Sequence, residues 1–259
     1  PVDDGVARVV ILSIDGLRAD VVRPENTPVL ARLRTEGVYA PETHTIVPSL
    51  TLPSHASMLS GQPPENHKVD WNGLDERRIA VPTIFSFARR AGLRTVMVVG
   101  KEKFSTIVYP DSLDAYVYVP EGDQAVVDAA IREARRGFRV MFVHLPEVDM
   151  TGHGQGWLSE PYLAAARNAD AAVGRLRAAL MRSTTLIVTA DHGGTGFGHG
   201  DAVAEHVRIP WIAHGGAVRV PGTVTRIVST MDTAATAAHI LGLGLGAGAL
   251  GVPVPLGGM

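Results

Sequence analysis

The sequence contains no cysteine, few aromatic residues and no excess of charge of either sign. The absence of cysteine excludes disulfides, zinc sites built on thiolates, cysteine nucleophiles and iron–sulfur clusters, although it leaves the cellular compartment open. The 24 basic and 26 acidic residues give a net charge of -2, so no nucleic-acid-binding surface is predicted. No apolar run reaches the roughly 18 residues that a membrane-spanning helix needs. Any metal site in this chain must therefore be built from oxygen and nitrogen ligands.

Lysine is also scarce, because it occurs only at Lys68, Lys101 and Lys103. Arginine carries the remaining basic charge, and we interpret this bias as a property of codon usage without mechanistic meaning. The chain begins at Pro1 without an initiator methionine, and we expect a secreted or periplasmic location if a leader was removed before that residue. A length of 259 residues, 46% of them hydrophobic, predicts a single compact catalytic domain over residues 1–259 with little or no cap domain.

Short apolar runs alternate with helical patterns along the chain. Strands are predicted at residues 8–14, 94–99, 139–145, 184–190 and 209–213, and helices at residues 28–36, 53–59, 82–91, 123–136, 158–181 and 230–241. Because the strands are continuous apolar runs separated by helices, the pattern predicts an α/β fold. Its sheet should be mostly parallel, with helices on both faces.

Acidic residues follow three of the predicted strands. Asp15 comes directly after the first strand, Asp149 shortly after the third and Asp191 directly after the fourth. Ligands of parallel α/β sheets bind at the carboxyl ends of the strands. These carboxylates are therefore expected to converge on one site.

Histidines accompany two of the three carboxylates. His192 is adjacent to Asp191 and is followed by glycines, which permit a turn. His153 comes four residues after Asp149, so that both side chains lie on one side of a single turn. Carboxylate oxygen and imidazole nitrogen together suit zinc or another first-row divalent ion. The two motifs therefore predict a metal centre.

A third histidine is needed to complete the ligand set around Asp149. His199 lies between Gly198 and Gly200, which allow an unusual backbone and a close approach. It is the preferred ligand for that reason. His206 and His214 are the alternative ligands. His206 lies in a polar stretch, where it would ordinarily be a solvated loop residue, and His214 ends a predicted strand.

A hydroxyl group stands before the short helix predicted at residues 53–59. Thr51 precedes Pro53, and a hydroxyl at a helix start is most often a cap, as it would be for Ser49 too. The functional interpretation is that Thr51 is a nucleophile beside a helix N-terminus that helps to hold an anion. The local pattern alone leaves both interpretations open.

The motifs together resemble the alkaline phosphatase superfamily and are most similar to its type I phosphodiesterase/nucleotide pyrophosphatase branch. They run in the order of that family: Asp15-Gly16, Thr51-Leu52-Pro53-Ser54-His55, Asn72, Asp149-x-x-x-His153, Asp191-His192-Gly193 and Gly198-His199-Gly200. The resemblance covers nearly the whole chain and implies an alkaline-phosphatase-like fold.

The resemblance also implies a site with two zinc ions. One ion would be held by Asp149, His153 and His199, and the other by Asp15, Asp191, His192 and the hydroxyl of Thr51. In the family pattern, Thr51 attacks phosphorus and forms a phospho-threonine intermediate, and the amide of Asn72 contacts a phosphoryl oxygen. Without the resemblance, Asn72 before Gly73 is equally well an ordinary turn residue.

The choice among the branches of the superfamily rests on few residues. Thr51 and Asn72 favour a small-molecule phosphodiester or nucleotide pyrophosphate, whereas a phosphomonoesterase of this superfamily grips its dianion with an arginine. No motif places one here, although Arg18 and Arg208 stay open for that role. A phosphonate hydrolase is another alternative. A sulfatase is disfavoured because position 55 is His55 where arginine is expected. From another class, a non-catalytic metal-dependent binding module is the rival.

Overall fold

The structure is a computed structural model that describes residues 4–257. The strands of this part of the chain are β1 (Arg8–Ile14), β2 (Val38–Tyr39), β3 (Thr43–His44), β4 (Thr95–Val99), β5 (Ala115–Tyr118), β6 (Val140–Leu145), β7 (Thr184–Thr189), β8 (Trp211–His214), β9 (Gly222–Thr223) and β10 (Val228–Ser229). The α-helices are α1 (Pro28–Glu36), α2 (Thr51–Ser60), α3 (Pro64–His67), α4 (Ile84–Arg90), α5 (Asp123–Arg135), α6 (Glu147–Gln155), α7 (Glu160–Ala179), α8 (Ala204–Val207) and α9 (Asp232–Leu241).

One eight-stranded sheet has the strand order β5-β4-β6-β1-β7-β8-β2-β9. Strands β5, β4, β6, β1 and β7 are parallel to one another, and β8 is antiparallel to both of its neighbours. The predicted mostly parallel sheet is therefore confirmed. A separate pair, β3 and β10, is also parallel.

Helices cover both faces of the sheet, as predicted. The alternating side chains of β1 show the two faces, because Val10 and Leu12 belong to one buried core and Val9 and Ile11 to the other. The first core includes apolar residues of α1, α5 and α7. The second includes apolar residues of α2, α4 and α9. Burial on both faces explains why these strands are continuous apolar runs rather than alternating ones.

The predicted elements and the observed ones differ at several places. Helix α2 begins at Thr51 instead of residue 53, and the segment that carries Asp149 and His153, for which only a single turn was predicted, forms the nine-residue helix α6. The fifth predicted strand, at residues 209–213, is observed as β8 and runs antiparallel to β7. The edge strand β5 was not predicted, and its side chains are partly exposed.

A small cap domain would have to be formed by the segment around α3 or the segment around β5. Residues 63–76 hold the four-residue helix α3, and residues 101–121 hold two short 3-10 helices followed by β5 on the sheet edge. Among residues 4–257, no helix combines the length and the apolar character needed to cross a membrane.

Candidate metal centre and active site

Four adjacent strands bring their carboxyl ends to one edge of the sheet. In spatial order they are β4, β6, β1 and β7. Asp15 and Asp191 lie just after β1 and β7, and Asp149 lies in α6, which follows β6. The parallel arrangement therefore places these three carboxylates side by side, as the sequence predicted.

Asp15, Asp191 and His192 form the first group, which we call the inner cluster; their ligand atoms lie within 4.8 Å of one another and all three residues are buried. His192 Nε2 lies 3.3 Å from Asp15 Oδ1 and 3.2 Å from Asp191 Oδ2. The Oδ1 atom of Asp191 accepts hydrogen bonds from the backbone N–H groups of Gly16 and His192. These bonds fix the carboxylate so that Oδ2 faces the cluster.

Asp149, His153 and His199 form the second group, the outer cluster, with ligand atoms also within 4.8 Å of one another. The distances from Asp149 Oδ1 are 3.3 Å to His153 Nε2 and 3.7 Å to His199 Nε2. Helix α6 supplies the first two residues at positions i and i+4, one turn apart. The clusters adjoin each other, because the rings of His192 and His199 stack with centroids 3.5 Å apart.

The three cluster histidines share one hydrogen-bonding arrangement. Each donates from Nδ1 to a backbone carbonyl: His153 to Phe197, His192 to Gly193 and His199 to Ser49. A carbonyl oxygen only accepts, so the proton of each neutral ring is on Nδ1. Every Nε2 lone pair is then left for a ligand, as in metal-bound histidines whose other nitrogen is held by the protein.

Several buried atoms that face the clusters have no hydrogen-bond partner within residues 4–257. They are Asp15 Oδ1, Asp149 Oδ1, Asp191 Oδ2 and His192 Nε2. Buried polar atoms are nearly always hydrogen-bonded, and buried carboxylates need a cation. The unpartnered atoms are the donor type that suits zinc and other first-row divalent ions. The residues present therefore fit two metal sites.

The charges of the inner cluster act strongly on one another. Burial lowers the pKa of His192, but the carboxylates of Asp191 and Asp15 outweigh it and raise that pKa to about 9. Burial and the neighbouring Asp15 raise the pKa of Asp191, whereas Lys101 and His144 overcome burial and keep the pKa of Asp15 low. In the outer cluster, burial and the nearby His192 lower the pKa of His199 to about 4.

The residues that flank Thr51 in the chain contact one cluster each. On one side, Ser49 O accepts the hydrogen bond of His199, and on the other, His55 Nδ1 lies 3.5 Å from Asp191 Oδ2. Thr51 is the first residue of α2, it is 1% exposed, and no side chain caps this helix start. Ser49 bonds to the backbone of Gly200 and Asp201 instead. Neither hydroxyl is therefore the cap of α2.

Asn72 lies beside the start of α2. Its Oδ1 accepts a hydrogen bond of 3.0 Å from the backbone N–H of Leu52, the residue after Thr51. Lys103 Nζ donates to the same Oδ1 at 3.1 Å and to the backbone oxygen of Asn72 at 3.0 Å. With Oδ1 engaged in this way, the amide nitrogen of Asn72 remains as its free donor.

Two lysines that sequence reasoning dismissed lie in the site. Lys101 Nζ is 2.6 Å from Asp15 Oδ2 and 2.6 Å from Asp149 Oδ2, so it joins one carboxylate of each cluster. Lys103 follows two residues later in a 3-10 helix. Both come directly after strand β4, and the rule that selected the carboxylates would have found them had it been applied to cations. The codon-bias interpretation concerned only the scarcity of lysine and did not consider these two positions.

The rivals of His199 contact other groups. His206 is buried, with Nε2 against the hydroxyl of Thr195 and Nδ1 accepting from the Asp201 N–H. His214 lies beside Glu36. Neither belongs to a cluster of the described residues.

The two candidate arginines form ion pairs with carboxylates that do not belong to the clusters. Arg18 pairs with Asp20 and Arg208 with Glu42. Arg18 also donates to the backbone oxygen of Gly194.

Two aromatic residues support the turn after β1. Trp157 Nε1 and Tyr162 OH both donate to the backbone oxygen of Gly16, and both side chains are buried. Gly16 has φ 73°, and a Cβ there would lie 2.9 Å from the Cα of Asp149. The glycine is therefore required for helix α6 to approach β1, which brings Asp149 to Asp15.

The fold is similar to the folds of several solved structures. Murine ectonucleotide pyrophosphatase/phosphodiesterase 5, solved as an inactive variant in complex with AMP, aligns with a TM-score of 0.79 and 18% identity over 98% of both chains. A protein in the alkaline phosphatase superfamily from Vibrio parahaemolyticus aligns with a TM-score of 0.72 and 19% identity over 93% of this chain and 68% of that one. The fold is that of the alkaline phosphatase superfamily.

Sequence comparison narrows the class to one family. The model of the family described as type I phosphodiesterase/nucleotide pyrophosphatase matches residues 9–214. This chain belongs to that family. It is also 24% identical over 216 residues to mouse ectonucleotide pyrophosphatase/phosphodiesterase family member 3, a match that covers 71% of this chain and 24% of the relative. The chain thus spans about a quarter of the length of that curated relative.

Proposed function

We propose that this protein is a metal-dependent hydrolase of phosphoric esters. Its substrates would be small phosphodiesters or nucleotide pyrophosphates, which it would cleave through a covalent intermediate on Thr51. The proposal rests on one observation: Thr51 begins α2, and its chain neighbours Ser49 and His55 contact the outer and the inner cluster, whose unpartnered atoms converge. Family membership supports phosphoester chemistry, and a structural neighbour was solved with AMP.

The clusters carry more negative charge than the protein itself compensates. Asp15, Asp149 and Asp191 are buried, and the cations that face these three carboxylates in the metal-free protein are Lys101 and, with its raised pKa, His192. Two zinc ions held by the inner and outer clusters would neutralise the remaining carboxylate charge. When bound, the ions would supply Lewis acidity that lowers the pKa of the Thr51 hydroxyl and stabilises negative charge at phosphorus.

The residues of this chain would perform the remaining work. Thr51 Oγ1 attacks phosphorus, its new bond to phosphorus replaces the bond to the leaving oxygen, and the leaving group takes up a proton as an alcohol or phosphate. Water then cleaves the phospho-threonine and restores the hydroxyl. Asn72 donates from its amide nitrogen to a phosphoryl oxygen, and the backbone N–H of Thr51 at the start of α2 is a second donor.

The test combines metal analysis with kinetics on two aryl substrates. We expect about two zinc ions per chain by mass spectrometry, loss of activity on chelation and recovery with zinc. Thr51→Ala should keep both ions and lower kcat by at least about 10³-fold on bis(p-nitrophenyl) phosphate, because the attacking oxygen is lost. Thr51→Ser should retain much of the rate. Thr35→Ala, which changes an exposed hydroxyl in α1, is the matched control.

Three outcomes would redirect the proposal. Wild-type turnover by Thr51→Ala would remove the covalent mechanism while leaving the hydrolase. A protein that binds two ions and cleaves neither phosphodiesters, phosphomonoesters nor phosphonates would instead be the non-catalytic binding module. A phosphonate hydrolase would show itself by a preference for an aryl phosphonate over the matched diester.

A further inference from the structure

The two lysines of the site differ in how far their ammonium groups are paired with carboxylates. The ammonium group of Lys101 makes two hydrogen bonds of 2.6 Å, one to a carboxylate of each cluster. Those bonds use Oδ2 of Asp15 and Oδ2 of Asp149, whereas Oδ1 of each residue is the unpartnered atom. Lys101 is therefore already paired, and its charge is used to hold Asp15 and Asp149 in place.

Lys103 has no such partner. Its Nζ contacts two neutral oxygens, both belonging to Asn72, and within the described part of the chain it forms no ion pair. An ammonium group has three N–H donors, so one remains after these two bonds. The side chain is partly buried, and this desolvation together with the charge of Lys101 lowers the pKa of Lys103. Because Lys103 forms no direct ion pair there, its ammonium group is available to bind an anion of the substrate.

The position of Lys103 indicates which anion it would meet. Asn72 joins it to the backbone N–H of Leu52, so the free donor of Lys103 lies next to the first turn of α2 and to Thr51. Its nearby charges are those of the clusters, Asp15 and Asp191 among them. An anion at this point would be an oxygen of the phosphoryl group that Thr51 attacks.

The charge of Lys103 suits a dianion better than a monoanion. A phosphodiester carries one negative charge, whereas a phosphomonoester carries close to two above its second pKa of about 6. The neutral amide of Asn72 is sufficient for a diester, but a monoester presents a further charged oxygen. The expected arginine is absent from this place, since Arg18 and Arg208 are paired with Asp20 and Glu42. Lys103 is the cation that stands there instead.

We propose that the site has a second activity, the hydrolysis of phosphomonoesters, and that Lys103 is the residue that supports it by binding the additional charged oxygen. This inference rests on the proposed function, because it uses the same Thr51. In the first step, the bond from Thr51 Oγ1 to phosphorus forms as the bond to the leaving oxygen breaks. The proton of the Thr51 hydroxyl passes to water, and the leaving alkoxide takes up a proton from water. In the second step, water cleaves the phospho-threonine and releases inorganic phosphate.

The experiment compares two substrates with the same leaving group, p-nitrophenyl phosphate and methyl p-nitrophenyl phosphate, at pH 8 in the zinc-loaded protein. Wild type should hydrolyse both. Lys103→Met should lower kcat/KM for the monoester by about 10- to 100-fold, as expected for one lost charge-assisted hydrogen bond. The diester should lose less than about fivefold, and Lys103→Arg should retain most of the monoester rate.

A second readout does not depend on turnover of a monoester. Inorganic phosphate should inhibit diester hydrolysis competitively, and its inhibition constant should rise by a similar factor in Lys103→Met, while the zinc content stays unchanged. Lys68→Met is the matched control, because Lys68 is the remaining lysine and is exposed outside the site. It should change neither substrate ratio nor phosphate inhibition.

The outcomes separate this inference from the function on which it rests. Equal losses on both substrates would show that Lys103 only positions Asn72, and an unchanged monoester rate would show that it does not meet the substrate. Either result overturns the inference, as does a wild-type protein that cleaves the diester alone. A zinc-loaded wild type that cleaves neither substrate would overturn the proposed function itself.

Discussion

The inner and outer clusters use the same ligand chemistry but are built differently. The inner cluster sits directly at the ends of β1 and β7, and the side chains of Asp15, Asp191 and His192 are all 0% exposed. The outer cluster is carried by helix α6 and the loop around His199, and the side chain of His153 is 47% exposed. Strand ends inside a sheet are rigid, whereas a short helix and a glycine-rich loop can adjust. The comparison predicts a rigid inner site and a more exchangeable outer one.

The largest expected effect is on the stability of the inner site. Asp15 is held by Lys101 at 2.6 Å and by His144 at 2.9 Å, and all are enclosed by the fold. Asp15→Asn would leave His144 without its anion and Lys101 with Asp149 alone, and it should lower the free energy of unfolding of the chelated protein by about 3–5 kcal/mol. Urea denaturation followed by circular dichroism measures this change.

The control for that prediction is an exposed ion pair. Asp20 pairs with Arg18 at 2.7 Å but is 45% exposed, so Asp20→Asn should cost at most about 1 kcal/mol. If the two variants lose similar amounts of stability, the inner cluster is not the rigid part of the site.

The second effect is a difference in pH dependence between the clusters of the metal-free protein. The pKa of His192 rises from 6.5 to about 9, so its contribution to stability is complete below pH 6.5 and is lost as the pH rises through 9. The pKa of His199 falls from 6.5 to about 4, so its contribution is complete above pH 6.5 and is lost as the pH falls through 4. Each shift is worth on the order of 3 kcal/mol.

Chemical-shift titration of the histidine rings in chelated protein measures these two pKa values directly. His192→Gln should remove the loss of stability on the alkaline side, and His199→Gln the loss on the acidic side. Two rings that both titrate near 6.5 would contradict the contrast between the clusters.

Much of the fold followed from apolar patterning, because the buried strands are continuous runs. Strand β1 has the predicted bounds, and β4, β6 and β7 differ from theirs by one residue. Helix α2 begins two residues earlier than predicted, since Pro53 was taken as an early helical residue. The first four N–H groups of a helix have no partner within it, so proline is accepted at the third position as well.

Helix α6 was missed because its stability does not come from its own sequence. Gly152 and Gly154 are poor helix formers, and the helix is held by packing that no local pattern shows. A Cβ at Gly152 would lie 2.7 Å from the ring of Trp157, so the glycine is needed for close contact with that side chain. Tertiary packing thus stabilises a helix here, although the local propensity does not favour one.

The ligand sets were predictable because each carboxylate or histidine follows a strand or an earlier ligand at short spacing. The cations were not predicted, because only acidic residues and histidines were considered at the strand ends. The pairing of Lys101 with Asp149 depends further on β4 lying beside β6 in the sheet. The sequence order of strands does not show their spatial order, and the pairing of a charge with a distant residue depends on that order.

The smallest expected effect distinguishes a ligand of the outer cluster from its neighbour. His199→Ala should reduce the zinc content from about two ions per chain to about one, because the outer cluster loses a ligand while the inner cluster is unchanged. His206 supports the same loop through Thr195 and Asp201 but does not face the clusters. His206→Ala should therefore keep both ions and lower the affinity for one of them by only about tenfold. Zinc titration of the chelated variants with a competing indicator measures both changes side by side. If His206→Ala loses an ion and His199→Ala does not, the outer site is built on the other histidine, and the loop that carries them must adopt a different arrangement when zinc binds.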